Sequence, residues 1–178
     1  MRTDPDLTEL VTERLRLRRS RPEDAEAIST YRSDPAVHIH QGWERTDPDG
    51  VRAEIEEMGT RAPGQPGGWV QLSVEEREGG RLVGDVGLSA VADEPGVIAV
   101  GYTIAPAYQG RGYGTEAVTA LVDYALDVLG ADVVRAYADA DNVPSIRVME
   151  KVGMGLVERF EGHDASGTWF AVRYERRR

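Results

Sequence analysis

The chain has 178 residues, 40% of them hydrophobic, and 31 acidic against 21 basic side chains leave a net charge of -10. That length suits one domain burying roughly two thirds of the surface its unfolded chain exposes, and the composition excludes a disordered polymer. The acidity repels nucleic-acid phosphates and gives an anionic membrane surface no hold, the absence of cysteine excludes disulfides and a thiol nucleophile, and no apolar run approaches the ~20 residues of a membrane span.

A cytoplasmic protein is therefore expected, with no nucleic acid or membrane partner. The same charge would either concentrate a cationic substrate or simply confer solubility. His38, His40 and His163 stand at no metal-ligand spacing, so no metal is expected.

Residues 1–178 read as a single domain, with 1–10 as a flexible tail. "TERLRLR" (Thr12 to Arg18) places Leu15 and Leu17 on one face and charges on the other, a half-buried strand. "SRPEDAEAISTYRSDP" follows as a helix, with Ser20 and Glu23 at capping-box spacing, Pro22 in the first turn and a stop at Asp34-Pro35. A second helix starts near Asp47 to Asp49, since Val51, Ile55 and Met58 recur at helical intervals, and "RAPGQPGG" breaks it.

From Trp69 to Ile104 three strands, "WVQLSVEE", "RLVGDVGLSAV" and "GVIAVGYTI", form an antiparallel meander joined by glycine turns. Val118, Leu121, Val122, Ala125, Leu126 and Leu129 then follow the spacing of an amphipathic helix ending before Gly130. "DVVRAYA" reads as a strand and "NVPSIRVMEKVG" as a short helix with Asn142 as N-cap and Gly153 as its stop. "MGLVERF" and "TWFAVRYE" close the chain as two strands. The fold class is α/β (α+β) with a mixed sheet.

The stretch "YQGRGYGTEA" sets Gly110, Gly112 and Gly114 between a strand and a helix. Residues without Cβ let several amides converge on one point, and the helix N-terminus adds partial positive charge, so this loop suits a phosphate. Neither the P-loop nor the dinucleotide spacing is present, which disfavours both of those ligands. A tight strand-to-helix turn is the alternative, and the surrounding residues decide.

"QGRGYG" (Gln109 to Gly114) resembles the Q/R-x-x-G-x-G/A signature of the GNAT superfamily of N-acetyltransferases. "NVPSIRVMEKVGM" is similar to the second family motif, and "TERLRLRRSRPEDAEAI" resembles the opening of the RimJ/RimL-like branch. The resemblance spans nearly the whole chain. It implies a GNAT fold, with a mixed, mostly antiparallel central sheet flanked by helices and two central strands splayed apart. It implies acetyl-CoA as cosubstrate and a primary amine, cationic in solution, as acceptor. Main-chain groups near Tyr102, Thr103 and Ile104 would bond the pantetheine arm. The Gln109, Gly110, Arg111, Gly112, Tyr113 and Gly114 amides would take the pyrophosphate, and Asn142 would contact the cofactor arm, serve as a plain cap, or do both. A homodimer is compatible with the resemblance; the acceptor, the acyl length and the oligomeric state are not specified.

The chain departs from the family's catalytic pattern. Met149 stands where family members place a proton-donating tyrosine, and Ala99 and Tyr137 stand where they place a basic glutamate. Ser145, carried by RimL-like relatives, is the leading donor for the departing thiolate or else a local cap, and Tyr137 is the second candidate. Asp85 is a base if it faces the cleft and a bystander if it faces solvent. His38 and His40 lie in a loop near the acceptor and belong to the residue type that titrates near neutrality. Trp43, Trp69 and Trp169 line the acceptor cleft or fill the core. Besides an N-acetyltransferase acting on a protein N-terminus, a small amine or an aminosugar, the pattern admits an acyl-CoA-binding module without catalysis.

Overall fold

A computed structural model describes residues 1–41, 46–164 and 167–178. One eight-stranded sheet runs through it in the order β1-β2-β3-β4-β5-β6-β8-β7. The strands are β1 (Glu9–Val11), β2 (Leu15–Arg19), β3 (Trp69–Glu76), β4 (Leu82–Ala90), β5 (Val97–Ile104), β6 (Val133–Asp139), β7 (Gly155–Asp164) and β8 (Gly167–Arg177). The helices are α1 (Ala25–Arg32), α2 (Pro35–His38), α3 (Pro48–Gly59), α4 (Tyr113–Asp123) and α5 (Val143–Lys151). β5 and β6 run parallel, and the other named pairs are antiparallel, as expected of a mixed sheet.

Strand alternation assigns the two faces. Leu15, Leu17, Leu72, Val74, Val86, Leu88, Ile98 and Val100 turn to one side and bury Val118, Leu121, Val122, Ala125, Leu126 and Leu129 of the α4 segment. Each such side chain contributes about 1.5–3 kcal/mol relative to exposure. On the other side Ile28 and Tyr31 of α1 meet Val51 and Ile55 of α3 in a second, smaller cluster.

The β5–β6 pairing is short. It joins Val97 to Val133, Ile98 to Val134 and Ala99 to Arg135. Beyond that, β5 stays bonded to β4 as far as Ile104, and β6 to β8 as far as Asp139. The two strands part while each keeps its outer neighbour, which is the expected splay.

Four local features differ from the sequence expectation. The first helix is capped one residue later than Ser20/Glu23 spacing suggests: Asp24 Oδ2 accepts from Arg21 N at 2.8 Å, and the Ser20 hydroxyl pairs with Ser73 Oγ at 2.9 Å. The first helix does stop ahead of Pro35, α1 ending at Arg32, but Pro35 then opens a further short helix, α2, with Asp34 Oδ1 accepting from Ala36 N at 2.9 Å; a proline at the first helical position forfeits no bond. The α4 helix continues as a π-turn over Tyr124–Val128, closed by Leu129 N on Tyr124 O. Residues 1–10, expected as a flexible tail, are tied down: Tyr124 of that turn donates to Asp4 Oδ2 at 2.8 Å, Arg2 N donates to Leu129 O at 2.6 Å, Leu7 is buried and β1 pairs with β2.

Asp24 joins strand to helix. Arg18 grips it with two bonds of 2.7 and 2.8 Å, and Ser73 Oγ lies 2.9 Å away. Burial pushes this carboxyl up, but Arg18, the Arg21 amide and Ser73 together outweigh it and hold it below the usual carboxylate range. A depressed native value stabilises the fold above the unfolded value of about 3.9 and is lost as pH falls through the native one. Asp24→Asn should therefore melt below the parent at pH 7, with the difference narrowing as acid protonates the parent carboxyl; calorimetry between pH 7 and 3 measures it.

Candidate active site

A cleft of about 410 Å³ opens where β5 and β6 diverge. Its walls take Tyr102, Thr103 and Ile104 from β5, Gln109 to Thr115 except Arg111 from the glycine loop, Asn142, Ser145 and Arg147 from the α5 region, and His40 and Gln41 after α2. Past Ala99 the inner edge of β5 has no strand partner among the described residues, which opens its main chain to a ligand lying in the gap.

The glycine loop forms one end. Gly110 and Gly112 adopt φ of 74° and 83°, the left-handed region that a Cβ penalises, and Gly112 caps α4. The first intrahelical bond comes from Glu116 N to Gly112 O, so the amides of Tyr113, Gly114 and Thr115 precede the ladder and point out of the helix N-terminus. Gly114 is different. Its φ is not positive; an added Cβ would lie 3.5 Å from Ile104 Cγ1 and from Val148 Cγ2, so here glycine serves close packing of strand end, loop and α5.

Side chains hold the loop from outside. Gln109 Nε2 donates to Ile104 O at 2.9 Å. Arg14 bonds Arg111 O at 3.0 Å, pairs with Glu116 at 2.6 Å and stacks over the Tyr113 ring at 4.8 Å. Arg111 itself folds back on Ala107 O and the Tyr108 ring and is not part of the cleft wall. Two cations that sequence reasoning missed, Arg147 and Lys151, line the same cleft. They stand four apart on α5, a spacing that puts them on one helix face, and they supply local positive potential in a protein of net charge -10.

At the middle, Asn142 does what its capping position predicts: its Oδ1 accepts from Ser145 N at 3.2 Å. The Ser145 hydroxyl is therefore not spent on a cap. Its oxygen lies 2.8 Å from the Tyr102 hydroxyl, which also lies 2.8 Å from Ser145 O. If Tyr102 donates to the carbonyl, Ser145 donates to Tyr102; if Tyr102 donates to Ser145 Oγ, the serine proton is released toward the cleft. Burial pushes the Tyr102 phenol up to about 12, further than the Ser145 bond lowers it, so it keeps its proton at neutral pH.

The other candidates sort clearly. Met149 is fully buried in the core. Tyr137 is half exposed, 6.3 Å from the Phe160 ring between centroids, and lines no part of the cleft, so the structure does not bring it to Ser145. Asp85 faces neither solvent nor cleft: it is buried, accepts a bond from the Tyr31 hydroxyl, and burial raises its carboxyl despite nearby Arg32. His38 is exposed, whereas His40 turns Nδ1 to Asp139 Oδ2 at 2.8 Å, with Asp141 Oδ1 at 4.0 Å. Trp69 and Trp169, both over 40% exposed, lie over Gly87 and Gly162 respectively and belong neither to the core nor to the cleft. Trp43 lies outside the described residues.

The profile of the acetyltransferase (GNAT) domain matches residues 14–155. The chain belongs to the GNAT acetyltransferase family. It is similar to YoaA of Bacillus subtilis, an uncharacterised N-acetyltransferase, with 30% identity over 145 residues and 81% of each chain covered. Its fold is shared with Mycobacterium smegmatis RimJ, solved in complex with CoA-disulfide, at a TM-score of 0.83 and 18% identity over 99% of this chain and 90% of that one. It is also shared with the ribosomal-protein-S5-alanine acetyltransferase of Vibrio fischeri, at 0.75 and 17% identity over 96% and 97%.

For a GNAT chain the two glycines make separable predictions. Gly112→Ala forces a Cβ into left-handed backbone 3.3 Å from Arg14 Nη2 and should weaken acetyl-CoA binding about tenfold or more. Gly114→Ala meets only ordinary contacts and should bind close to the parent value. Calorimetric titration of both folded variants decides, and equal affinities would remove the loop geometry as the reason for Gly112.

Proposed function

We propose that this protein is an acetyl-CoA-dependent N-acetyltransferase that moves the acetyl group to a primary amine by direct attack. The observation that carries the reading is the cleft between the parted strands, with loop amides and Arg147 and Lys151 at one end and the Tyr102–Ser145 pair inside. These parts fit acetyl-CoA in order: phosphates on the glycine loop and the α4 N-terminus, the amide-bearing arm along the free edge of β5, and the sulfur near Ser145.

The reaction needs a neutral amine at the carbonyl carbon and a proton for the departing sulfur. Ser145 is the donor in this reading. Tyr102 stands behind it as a second hydroxyl, taking from β5 the place that Met149 leaves vacant on α5. Acceptors whose amine is largely neutral suit the site best: an α-amine of pKa ~8 is about 10% neutral at pH 7, against about 0.04% for a lysine side chain of pKa ~10.4. The RimJ-like fold and the ribosomal-protein acceptor for which the Vibrio fischeri enzyme is named support a protein N-terminal amine as the first class to test, with small low-pKa amines next.

The test is thiol release from acetyl-CoA across a panel of peptides with free N-termini, alkyl amines and aminosugars. Release with at least one class supports transfer. Tight acetyl-CoA binding with no release on any of them would leave a binding module. Within an active enzyme, Ser145→Ala should lower kcat by roughly 10² to 10⁴ with acetyl-CoA affinity nearly unchanged, because proton donation matters only in the transition state. Tyr102→Phe should fall in the same direction but less far. A serine variant that turns over at the parent rate ends the donor assignment.

A further inference from the structure

The acceptor arrives as an ammonium, and some group must take its proton before attack. Ala99 has no such group, Tyr137 lies off the cleft, and Asp85 is buried against Tyr31. His40 lines the cleft together with Gln41, Thr103 and Ser145, and Gln41 Nε2 bonds the Thr103 hydroxyl at 3.3 Å, fixing the segment that carries the histidine to β5.

The imidazole is oriented. An ionised carboxylate only accepts, so the 2.8 Å contact from Asp139 Oδ2 requires the proton to sit on His40 Nδ1. That tautomer leaves a lone pair on Nε2, which has no hydrogen bond among the described residues. Asp139 is the last residue of β6, on the strand whose departure from β5 makes the cleft. Its own main-chain oxygen accepts from Asn142 N at 3.0 Å, and Asn142 in turn caps Ser145. One turn therefore holds a carboxylate that orients an imidazole and an amide that caps the main chain of Ser145.

We infer that His40 is the general base of this site and that Asp139 is the residue that positions it. The inference rests on the acetyl-transfer reading above. Nε2 takes one proton from the ammonium. The freed nitrogen lone pair forms the N–C bond to the thioester carbonyl carbon and the C–S bond breaks, its electrons leaving with sulfur. The second proton shed by nitrogen goes to that sulfur by way of the Ser145 hydroxyl. The imidazolium returns its proton to water, so each turnover releases one proton, one amide and one free thiol.

The experiment measures thiol release for the parent, His40→Ala, Asp139→Asn and, as a control, the exposed His38→Ala, each with two acceptors: an alkyl amine that is almost wholly ammonium at pH 7 and a hydrazide that is already neutral. His40→Ala should lose about 10²-fold or more in kcat on the alkyl amine and far less on the hydrazide, with KM for acetyl-CoA unchanged. Imidazole added to the buffer should restore part of the alkyl-amine rate. Asp139→Asn should show the same dependence on acceptor with a smaller loss, and His38→Ala should match the parent. Equal losses on both acceptors without imidazole rescue, or no loss at all, would overturn the assignment. If His40→Ala does not fold, His40→Gln, which can still donate to Asp139, replaces it under the same criteria. A parent enzyme that binds acetyl-CoA but releases no thiol with either acceptor is a failure of the transfer reading itself and is recognised before any variant is made.

Discussion

Everything in the site depends on a ladder that stops. β5 and β6 share three register positions and then part, although each continues for several residues bonded to its outer neighbour. A backbone group left without a partner away from water costs about 1–3 kcal/mol, so a sheet does not open in its middle without compensation. Here the compensation is partly internal. The Tyr102 hydroxyl reaches from β5 to Ser145 on the helix that follows β6, and Gln109 returns to Ile104 O, so the gap is bounded by hydrogen bonds at its wall and at its mouth. Among the described residues, a strip of main chain on the inner edge of β5 past Ala99 pairs with no strand. An extended chain carrying its own amides can complete it.

Electrostatics in the site run against the protein as a whole. The net charge is -10, yet the cleft is lined by Arg147 and Lys151 together with the first residues of α4. The acidic groups are used elsewhere: Glu116 holds Arg14 against the outside of the glycine loop, and Glu76 accepts from the Tyr113 hydroxyl at 2.6 Å. Asp139 and Asp141 stand beside His40. Both signs of charge are thus present locally, cations on the cleft wall and a carboxylate on the histidine that lines it. A formal charge summed over the chain reports neither.

The elements were legible where one segment decided its own fate. Val118 to Leu129 could form only an amphipathic helix, and the three strands from Trp69 to Ile104 paired as the short turns between them require. Asn142 could be read as a cap because its partner, Ser145 N, is three residues away. Periodicity is silent about what meets across the fold. His40 and Asp139 are 99 residues apart, Tyr102 and Ser145 43, and Tyr124 and Asp4 120. The last of these pairs lies where α4 departs from its expected regular end, and it ties down the first residues of the chain. Tyr102 illustrates the limit best. Its position in the strand was legible, but the direction of its hydroxyl was not, because that depends on where α5 lands.

Met149 shows how much the reading of a single position depends on its surroundings. A buried thioether at the place of a proton-donating tyrosine suggests lost catalysis when the helix is taken by itself. In the folded chain, residue 149 faces the core together with Val152, while Ser145 and Val148 face the cleft. A tyrosine is present after all, carried by the opposing strand, and its oxygen stands beside the helix hydroxyl that α5 does supply. The proposed chemistry asks only that a proton-bearing oxygen stand near the departing sulfur, held there by groups that do not themselves react. Strand or helix can deliver it, provided the wedge between β5 and β6 keeps the two at hydrogen-bond distance.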